Sequence, residues 1–224
     1  MPEMGETAIG SAALLKEALR ECRLIETVAE FDIAEEDQLR AQWYALLGRF
    51  LSGPPDAATR EVARALVGDE SDLGQGVKAL AAAAKGTTVE AVDEEFFDLF
   101  IGVGRGELLP YASYYLTGFL NEKPLAALRR DMAELGIARL EDVKEPEDHI
   151  ASLCEMMAGM ITGAFGAPVA LDRQRRFFDK HIGCWAPRFF EDLQAAQSAV
   201  FYMPIGTIGS VFMSVESQAF EIAA

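Results

Sequence analysis

The chain has 224 residues, and half of them are hydrophobic, which is enough for one sizeable core in a single domain or in one domain with two lobes. Acidic residues outnumber basic ones by 36 to 20, and the net charge of -16 argues against a nucleic-acid partner. Phosphate binding takes its affinity from Lys and Arg, so the charge favours a basic partner or serves only to keep the protein dissolved.

Two further features limit the chemistry. The three cysteines lie far apart, and the two histidines are too few for a His-rich metal centre, so neither a disulfide framework nor a resident cofactor is expected. The longest apolar stretch, residues 158–171, is interrupted by glycine and proline, so no membrane span is predicted. Glu3 and Glu6 stand where a secretory signal would be basic, so we expect a cytoplasmic protein.

Apolar residues recur at steps of three and four along most of the chain, a spacing that is typical of amphipathic helices. Segment 68–76 is polar and is predicted to be a loop. No segment alternates with a period of two, so the fold class is predicted to be all-α. The predicted helices cover an N-terminal segment within 8–30 and then residues 37–50, 56–67, 77–85, 90–101, 111–119, 125–135, 146–161, 171–180, 191–202 and 208–222.

A stripe of large apolar residues marks the helix that follows residue 149. Ile150, Leu153, Met157 and Met160 share one face of that helix. Methionine can line an adaptable groove, but a buried apolar stripe is the more common use of such a face. We therefore favour core packing over a binding groove for this stripe.

Two stretches stand out from the rest of the sequence. The first, 96–115, reads FFDLFIGVGRGELLPYASYY and passes from an aromatic run into a glycine-rich loop. The second, 145–149, reads EPEDH. Pro146 is suited to a first helical turn, and acidic neighbours there complement the positive end of the helix dipole, so the second stretch is predicted to start a helix.

These two stretches resemble the signatures of the TorD/DmsD family of redox-enzyme maturation chaperones. Phe96, Leu99 and Phe100 fit an aromatic followed, after two residues, by Leu-Phe, and 145–149 fits Glu with Pro-x-Asp-His. The family pattern begins near Leu39, so residues 1–36 are interpreted as an N-terminal extension and 37–224 as the chaperone domain. The resemblance implies a single-domain helical bundle with two lobes joined by a hinge loop, and it allows a domain-swapped homodimer.

The resemblance also implies a function and a set of residues for it. The partner would be the twin-arginine signal peptide of a molybdenum-containing oxidoreductase, held in its apo form until its cofactor is loaded and export follows. Acidic side chains would attract the arginine pair, and aromatic and apolar ones would cover the apolar part of the leader. The candidate contacts are Glu145, Glu147, Asp148 and His149 for the charged part, and Leu99, Phe100, Pro110, Tyr111, Ser113 and Tyr115 for the groove.

Other interpretations of the same residues stay open from the sequence. Asp148 and His149 can form an acid/base pair, or they can satisfy backbone groups where a helix starts. The loop 102–106 resembles a phosphate cradle, which would make the protein a nucleotide-responsive or small-molecule-responsive regulator or enzyme, although no P-loop lysine is present. No nucleophile, catalytic triad or dinucleotide motif is found, so the protein is not expected to be an enzyme.

Overall fold

The architecture is all-α in the computed structural model, which describes residues 31–139 and 144–223. Within these ranges there are ten α-helices, one π-helical turn and no β-strand. The helices are α1 (Glu35–Leu51), α2 (Ala57–Ala65), α3 (Asp72–Gly86), α4 (Val89–Phe96), α5 (Ala112–Thr117), α6 (Lys123–Leu135), α7 (Ile150–Thr162), α8 (Leu171–His181), α9 (Ala186–Ala195) and α10 (Met203–Ile222). The π-helical turn, Phe97–Ile101, continues α4.

Side-chain caps fix the start of several helices. Asp56, Ser71 and Thr88 each accept a hydrogen bond from a backbone N–H in the first turn of the helix that follows, at 2.8, 3.1 and 3.2 Å. Such a cap satisfies an N–H group that has no partner within the helix. Local chemistry therefore sets the beginnings of α2, α3 and α4.

Three predicted helix boundaries, before α1, α3 and α7, are wrong. Asp37 is not a cap, because α1 begins two residues earlier, after Ala34, with no side-chain cap. The predicted loop 68–76 is in part helical, since Ser71 caps α3 and that helix starts at Asp72. The EPEDH stretch forms turns and an isolated bridge, and α7 begins only at Ile150, so its acidic residues do not belong to a first helical turn.

The predicted helix 191–202 is also wrong. The helix in this region is α9, Ala186–Ala195, and residues 196–202 lie outside it. The buried Glu95 carboxylate accepts hydrogen bonds from the N–H groups of Val200, Phe201 and Tyr202 at 2.8, 2.9 and 2.7 Å. These three bonds give the N–H groups the partners that a helix would have given them, and α10 then starts at Met203.

The core lies between α1 and α7, which pack along each other, and between α9 and α10, with α3 against α10. The apolar face of α7 is part of this core, since Met157 and Met160 are fully buried. The methionine stripe is therefore core, as the sequence favoured. The prediction of an all-α single-domain bundle is confirmed, whereas the hinge and the swapped dimer stay predictions.

A buried ionic contact joins the two ends of the described chain. Glu216 on α10 is almost fully buried and accepts hydrogen bonds from Arg40 on α1, from Nε at 2.7 Å and from Nη2 at 2.9 Å. The Tyr44 hydroxyl donates a third, at 3.0 Å. With three donors around it, the Glu216 carboxylate is a satisfied internal charge.

The N-terminal segment predicted to be helical, within 8–30, lies outside the described residues. Across 31–139 and 144–223, no helix is long and apolar enough to cross a membrane. In the same ranges, no group of three or more His, Cys, Asp or Glu side chains is arranged to hold a metal ion.

Candidate functional site

The two signature stretches meet in space, although 30 positions separate the end of the first, Tyr115, from the start of the second, Glu145. Tyr111 and His149 form an isolated antiparallel bridge, and their rings pack edge to face with centroids 5.0 Å apart. Two backbone hydrogen bonds frame the pair, one from Ala112 N to Asp148 O at 3.0 Å and one from Ile150 N to Pro110 O at 2.9 Å. This signature bridge fixes the start of α5 against the start of α7.

Asp148 lies beneath the bridge and is 1% exposed. Its Oδ2 accepts a hydrogen bond from Ser113 N at 2.8 Å, in the first turn of α5. The Asp148 carboxylate thus satisfies the N-terminus of α5. It does not cap α7, the helix that follows Asp148 in the sequence. Its Oδ1 and the Ser113 hydroxyl are buried and have no hydrogen-bond partner among the described residues.

His149 is the N-cap of α7. Its Nδ1 accepts a hydrogen bond from Ala151 N at 3.1 Å, so the ring proton of the neutral imidazole belongs on Nε2. Burial lowers the pKa of His149 to about 4, so the ring is neutral near pH 7. Since the Asp148 carboxylate is engaged with Ser113 and the two side chains share no hydrogen bond, the helix-start interpretation accounts for this pair and the acid/base interpretation does not.

Glu145 is the exposed acidic residue at this site. Its Oε2 accepts a hydrogen bond from the Tyr111 hydroxyl, and burial together with this carboxylate raises the pKa of Tyr111. Tyr111 is half-buried: its ring packs on His149, and its hydroxyl reaches the exposed Glu145 carboxylate, so that the two residues form an acidic rim at the surface. An exposed carboxylate beside a tyrosine is suited to contact a guanidinium group.

Glu147 is instead a buried partner of α6. Arg129 donates from Nη2 at 2.8 Å and from Nε at 3.1 Å to the Glu147 carboxylate, and Arg139 Nη1 lies 3.8 Å from it. Burial opposes ionisation of Glu147, but the hydrogen bonds from Arg129 outweigh it and lower the pKa of the carboxyl. Its charge is therefore already compensated within the protein.

The apolar candidates divide into buried and half-buried residues. Leu99 and Pro110 are buried, so in this conformation they support the site from beneath. Phe100 is half-buried and packs against Phe96 and Tyr202, with ring centroids at 5.0 and 5.5 Å. None of these three residues presents a full apolar face to solvent.

Tyr115 links α5 to α9. It is half-buried, its ring packs against Trp185 at 5.3 Å, and its hydroxyl donates to Asp192 Oδ2 at 3.2 Å. Burial, followed by the nearby Asp192 carboxylate, raises the pKa of Tyr115. Its ring therefore forms part of the wall between α5 and α9.

Sequence reasoning missed the exposed apolar residues that follow α5. Leu116 and Leu120 are exposed, and Phe119 is 70% exposed. The signal was present, because three large apolar residues occur within five positions around Gly118. The sequence could not show that these residues are exposed, since three apolar residues at such spacing would also fit a buried helix end.

The glycine-rich loop does not offer a phosphate cradle. The N–H groups of Gly102, Glu107 and Leu108 donate to backbone carbonyls of the π-helical turn at 2.7, 3.0 and 2.8 Å. The Arg105 side chain donates to the Tyr114 hydroxyl at 2.8 Å. These bonds close the loop at its two ends, and α5 begins only at Ala112, so no helix N-terminus directly follows residues 102–106 as it does in a phosphate-binding loop.

A protein-family model described as nitrate reductase delta subunit matches residues 68–191, more than half of the chain. The chain belongs to this family. The matched range contains both signature stretches and helices α3 to α8 in full. The resemblance to the TorD/DmsD chaperones is confirmed by curated relatives.

These relatives are named as chaperones. The chain is 28% identical over 131 residues to "Chaperone protein TorD" of Vibrio parahaemolyticus, covering 55% of this chain and 61% of the relative. It is 34% identical over 104 residues to the protein of the same name from Vibrio cholerae, covering 43% and 47%. The matches thus span about three fifths or less of the relatives' length, and the names agree with the expectation that the chain is not an enzyme.

A solved structure shares the fold. The crystal structure of a putative redox enzyme maturation protein from Archaeoglobus fulgidus superposes with a TM-score of 0.54 at 19% identity, covering 84% of this chain and 99% of that one. At this level of identity the likeness establishes the helical architecture. It adds no residue to the site.

Proposed function

We propose that this protein is a cytoplasmic chaperone that binds the twin-arginine signal peptide of a molybdenum-containing oxidoreductase. It holds the apo-form of that enzyme while the cofactor is loaded, before export. The observation that carries the proposal is the signature bridge, which places an acidic, tyrosine-bearing rim at the start of α5. The name of the TorD relatives, "Chaperone protein TorD", supports the chaperone part of this proposal.

In this proposal Glu145 makes the charged contact with the leader. It is the exposed carboxylate of the EPEDH stretch, whereas Glu147 is paired with Arg129 and Asp148 is buried. Glu147 and Asp148 therefore position the rim, and the net charge of -16 draws a cationic peptide toward it. His149 serves as the neutral support of the Tyr111 ring.

The apolar part of the leader binds where α5 ends. Leu116, Phe119 and Leu120 are exposed there, within ten residues of Tyr111. Exposed large side chains in a cluster are typical of a protein-interaction surface, and an extended or helical apolar segment can cover them. The half-buried Tyr115 ring, packed on Trp185, continues this surface toward α9.

Two buried polar atoms next to the bridge add to the free-energy cost of this arrangement. Asp148 Oδ1 and the Ser113 hydroxyl have no partner among the described residues. Each such atom costs about 1–3 kcal/mol when buried. Both atoms are buried beneath the signature bridge, so they belong to the positioning role of Asp148 and not to the surface that contacts the leader.

The experiment is calorimetry of the purified chain with a synthetic twin-arginine leader. We expect saturable binding that is lost when both arginines are replaced by glutamine, and no heat from GTP. Binding should weaken as salt is added, because exposed charge pairs are screened. Heat from GTP with none from the leader would instead support the nucleotide-responsive alternative.

Three variants test the residues. Glu145→Gln should weaken leader binding by about tenfold or more, since a charge-assisted bond contributes about 1.5–3 kcal/mol. Asp148→Ala should also weaken it, because Asp148 accepts a hydrogen bond at the start of α5, next to Tyr111. Glu70→Ala is the matched control, because Glu70 is exposed and lies in the polar segment 68–76. If all three variants lost the same affinity for the leader, the interaction would depend only on the net charge of the protein. The proposed role of the signature bridge would then be wrong.

A further inference from the structure

A cleft of about 570 Å³ lies away from the signature bridge, between the C-terminal halves of α1 and α7. Apolar groups line much of it, among them Pro54 and Pro55 of the turn after α1, Ala158 of α7, and Phe165 of the loop that follows. None of the candidate leader contacts lines this cleft. Its volume is within the range of sites that bind small ligands or single side chains.

One carboxylate in the cleft is not compensated. Glu155 of α7 is among the lining residues, and the described part of the chain gives it no hydrogen bond and no ion pair. Burial raises the pKa of the Glu155 carboxyl, with no opposing positive group. This burial is only partial, because Glu155 is exposed to solvent along the cleft, and an incoming cation can therefore reach its carboxylate.

Gly48 on α1 leaves the space in which the stem of the Glu155 side chain lies. A Cβ at Gly48 would lie 3.2 Å from Glu155 Cγ and 3.3 Å from Ala151 O, which is closer than most Cβ contacts. The absence of a side chain at Gly48 therefore lets α1 and α7 approach and lets the Glu155 stem lie across α1. The carboxylate stands at a site that two packed helices form.

The positive group in the same cleft is already engaged. Arg49 donates from Nε to the Thr59 hydroxyl, and its Nη2 lies 3.2 Å from Asp56 Oδ2. Asp56 also accepts from Thr59 N, so these three residues form a closed network at one end of the cleft. Glu155 remains the acidic group that can accept from an incoming ligand.

We propose that this cleft binds a basic side chain, arginine or lysine, of a bound peptide, with the charged head at Glu155 and the apolar stem against Pro54, Pro55 and Phe165. Long basic side chains carry an apolar stem behind a charged head, which matches a cleft with apolar walls and one carboxylate. The inference deepens the proposed function, on which it rests, by giving a cationic client a second anchoring point.

Other ligand classes fit the cleft less well. An anion would meet Glu155 in a chain whose net charge is -16. A neutral apolar group would bury the carboxylate without a partner, which is unfavourable. A hard cation would find one free carboxylate where several oxygen ligands are needed.

The test uses a short probe, acetyl-Leu-Arg-Leu-amide, and the same peptide with citrulline in place of arginine. Citrulline keeps the shape of the side chain and removes its charge. The carboxyl carbon of ¹³C-labelled Glu155 is followed by NMR in the full chain. We expect a saturable shift with the arginine probe and an affinity about tenfold lower for citrulline, as for loss of one charge-assisted bond.

Variants repeat the comparison from the side of the protein. Glu155→Gln keeps the side-chain volume and should lower the affinity for the arginine probe about tenfold. Glu191→Gln, the same change at an exposed position of α9, should leave it unchanged. Equal affinity for the two probes, or an unchanged affinity in Glu155→Gln, would overturn the proposal.

The outcome separates this inference from the proposed function. If the arginine probe shifts Glu155 while no twin-arginine leader binds, the cleft is a cation site and the leader-binding function is wrong. If the leader binds wild type and Glu155→Gln equally and the probe leaves Glu155 unshifted, the function stands and the cleft site is wrong.

Discussion

His149 makes three contacts that a binding motif alone would not require. It caps α7 through Nδ1, it packs on the Tyr111 ring, and its backbone belongs to the signature bridge. The first of these contacts needs a neutral imidazole, since a proton on Nδ1 would remove the acceptor that caps the helix. The residue therefore couples the protonation state of one side chain to the stability of the site.

This coupling predicts a pH dependence of stability. The pKa of His149 is lowered to about 4 in the folded protein, below the 6.5 of an ordinary histidine, so the unfolded chain binds the proton first. Stability from this group is complete above pH 6.5 and falls as the pH drops toward 4, on the order of 1 kcal/mol per pH unit.

The measurement is urea unfolding of wild type and of His149→Asn at several pH values. Asparagine keeps a capping oxygen and does not titrate, and all other groups contribute equally to both proteins. The difference in unfolding free energy between the two should change with pH between 4 and 6.5 and be constant above it. A constant difference over the whole range would contradict the neutral, buried state of His149.

Among the elements, the π-helical turn and the loop after it determine where the chain leaves α4. Gly102 ends the turn with φ +60°, and its N–H donates to Phe97 O at 2.7 Å. A Cβ at this position would lie 2.1 Å from Arg105 O, so no other residue fits. The loop is thus a defined reversal that leads to Pro110 and the signature bridge.

Two glycine substitutions separate conformational strain from steric clash in this loop. Gly102→Ala meets both a positive φ and the Arg105 carbonyl, and we expect it to lower the unfolding free energy by about 2–4 kcal/mol. Gly104→Ala meets a φ of +90° with open space around the Cβ, and should lose about 1 kcal/mol. Thermal or urea unfolding measures both, and similar losses would mean that the close approach to Arg105 relaxes freely.

For the whole molecule, the Arg40–Glu216 ion pair joins α1 to α10, the two helices that flank the family-matched range. Arg40 and Glu216 lie 176 positions apart and both outside the matched range 68–191. Because α1 packs along α7 and α10 along α9, the helices that carry the site depend on these outer elements. The signature bridge therefore rests on a scaffold that extends beyond the matched segment.

Because Arg40 is the main partner of the buried Glu216, we expect the effects of substituting them on the unfolding free energy to be non-additive. Arg40→Met leaves the Glu216 charge buried without its main partner and should lower the unfolding free energy by about 3–5 kcal/mol. Adding Glu216→Leu should restore part of that loss, since both charges are then removed. Urea unfolding of the single and double variants measures the cycle.

The matched control is Arg176→Met, at an exposed ion pair within α8. Arg176 Nη2 lies 2.9 Å from Asp172 Oδ2, and both side chains are about two thirds exposed. Such surface pairs contribute about 0–1 kcal/mol, so this variant should be nearly neutral. Equal losses of unfolding free energy in Arg40→Met and Arg176→Met would show that the Arg40–Glu216 pair stabilises the fold no more than a surface ion pair does.

Much of the element order could be predicted from local signals. Asp56 precedes α2 as its cap, and Gly136 ends α6 in the left-handed conformation. The spacing of Ile150, Leu153 and Met157 predicted a helix with a buried face. These features depend on residues within a few positions of one another, and that is the range over which periodicity and capping operate.

The sequence by itself thus determined an all-α chain, the starts of α2, α4, α5, α6 and α8 to within two residues, and the two stretches that carry the family resemblance. Tertiary structure alone decided that Asp148 caps α5, that Glu147 pairs with Arg129, that Glu95 holds residues 200–202 outside a helix, and that Glu155 lines a cleft. The physical reason is that burial and charge pairing depend on groups that lie about 18 to 107 positions apart in the sequence and become neighbours only when the helices pack.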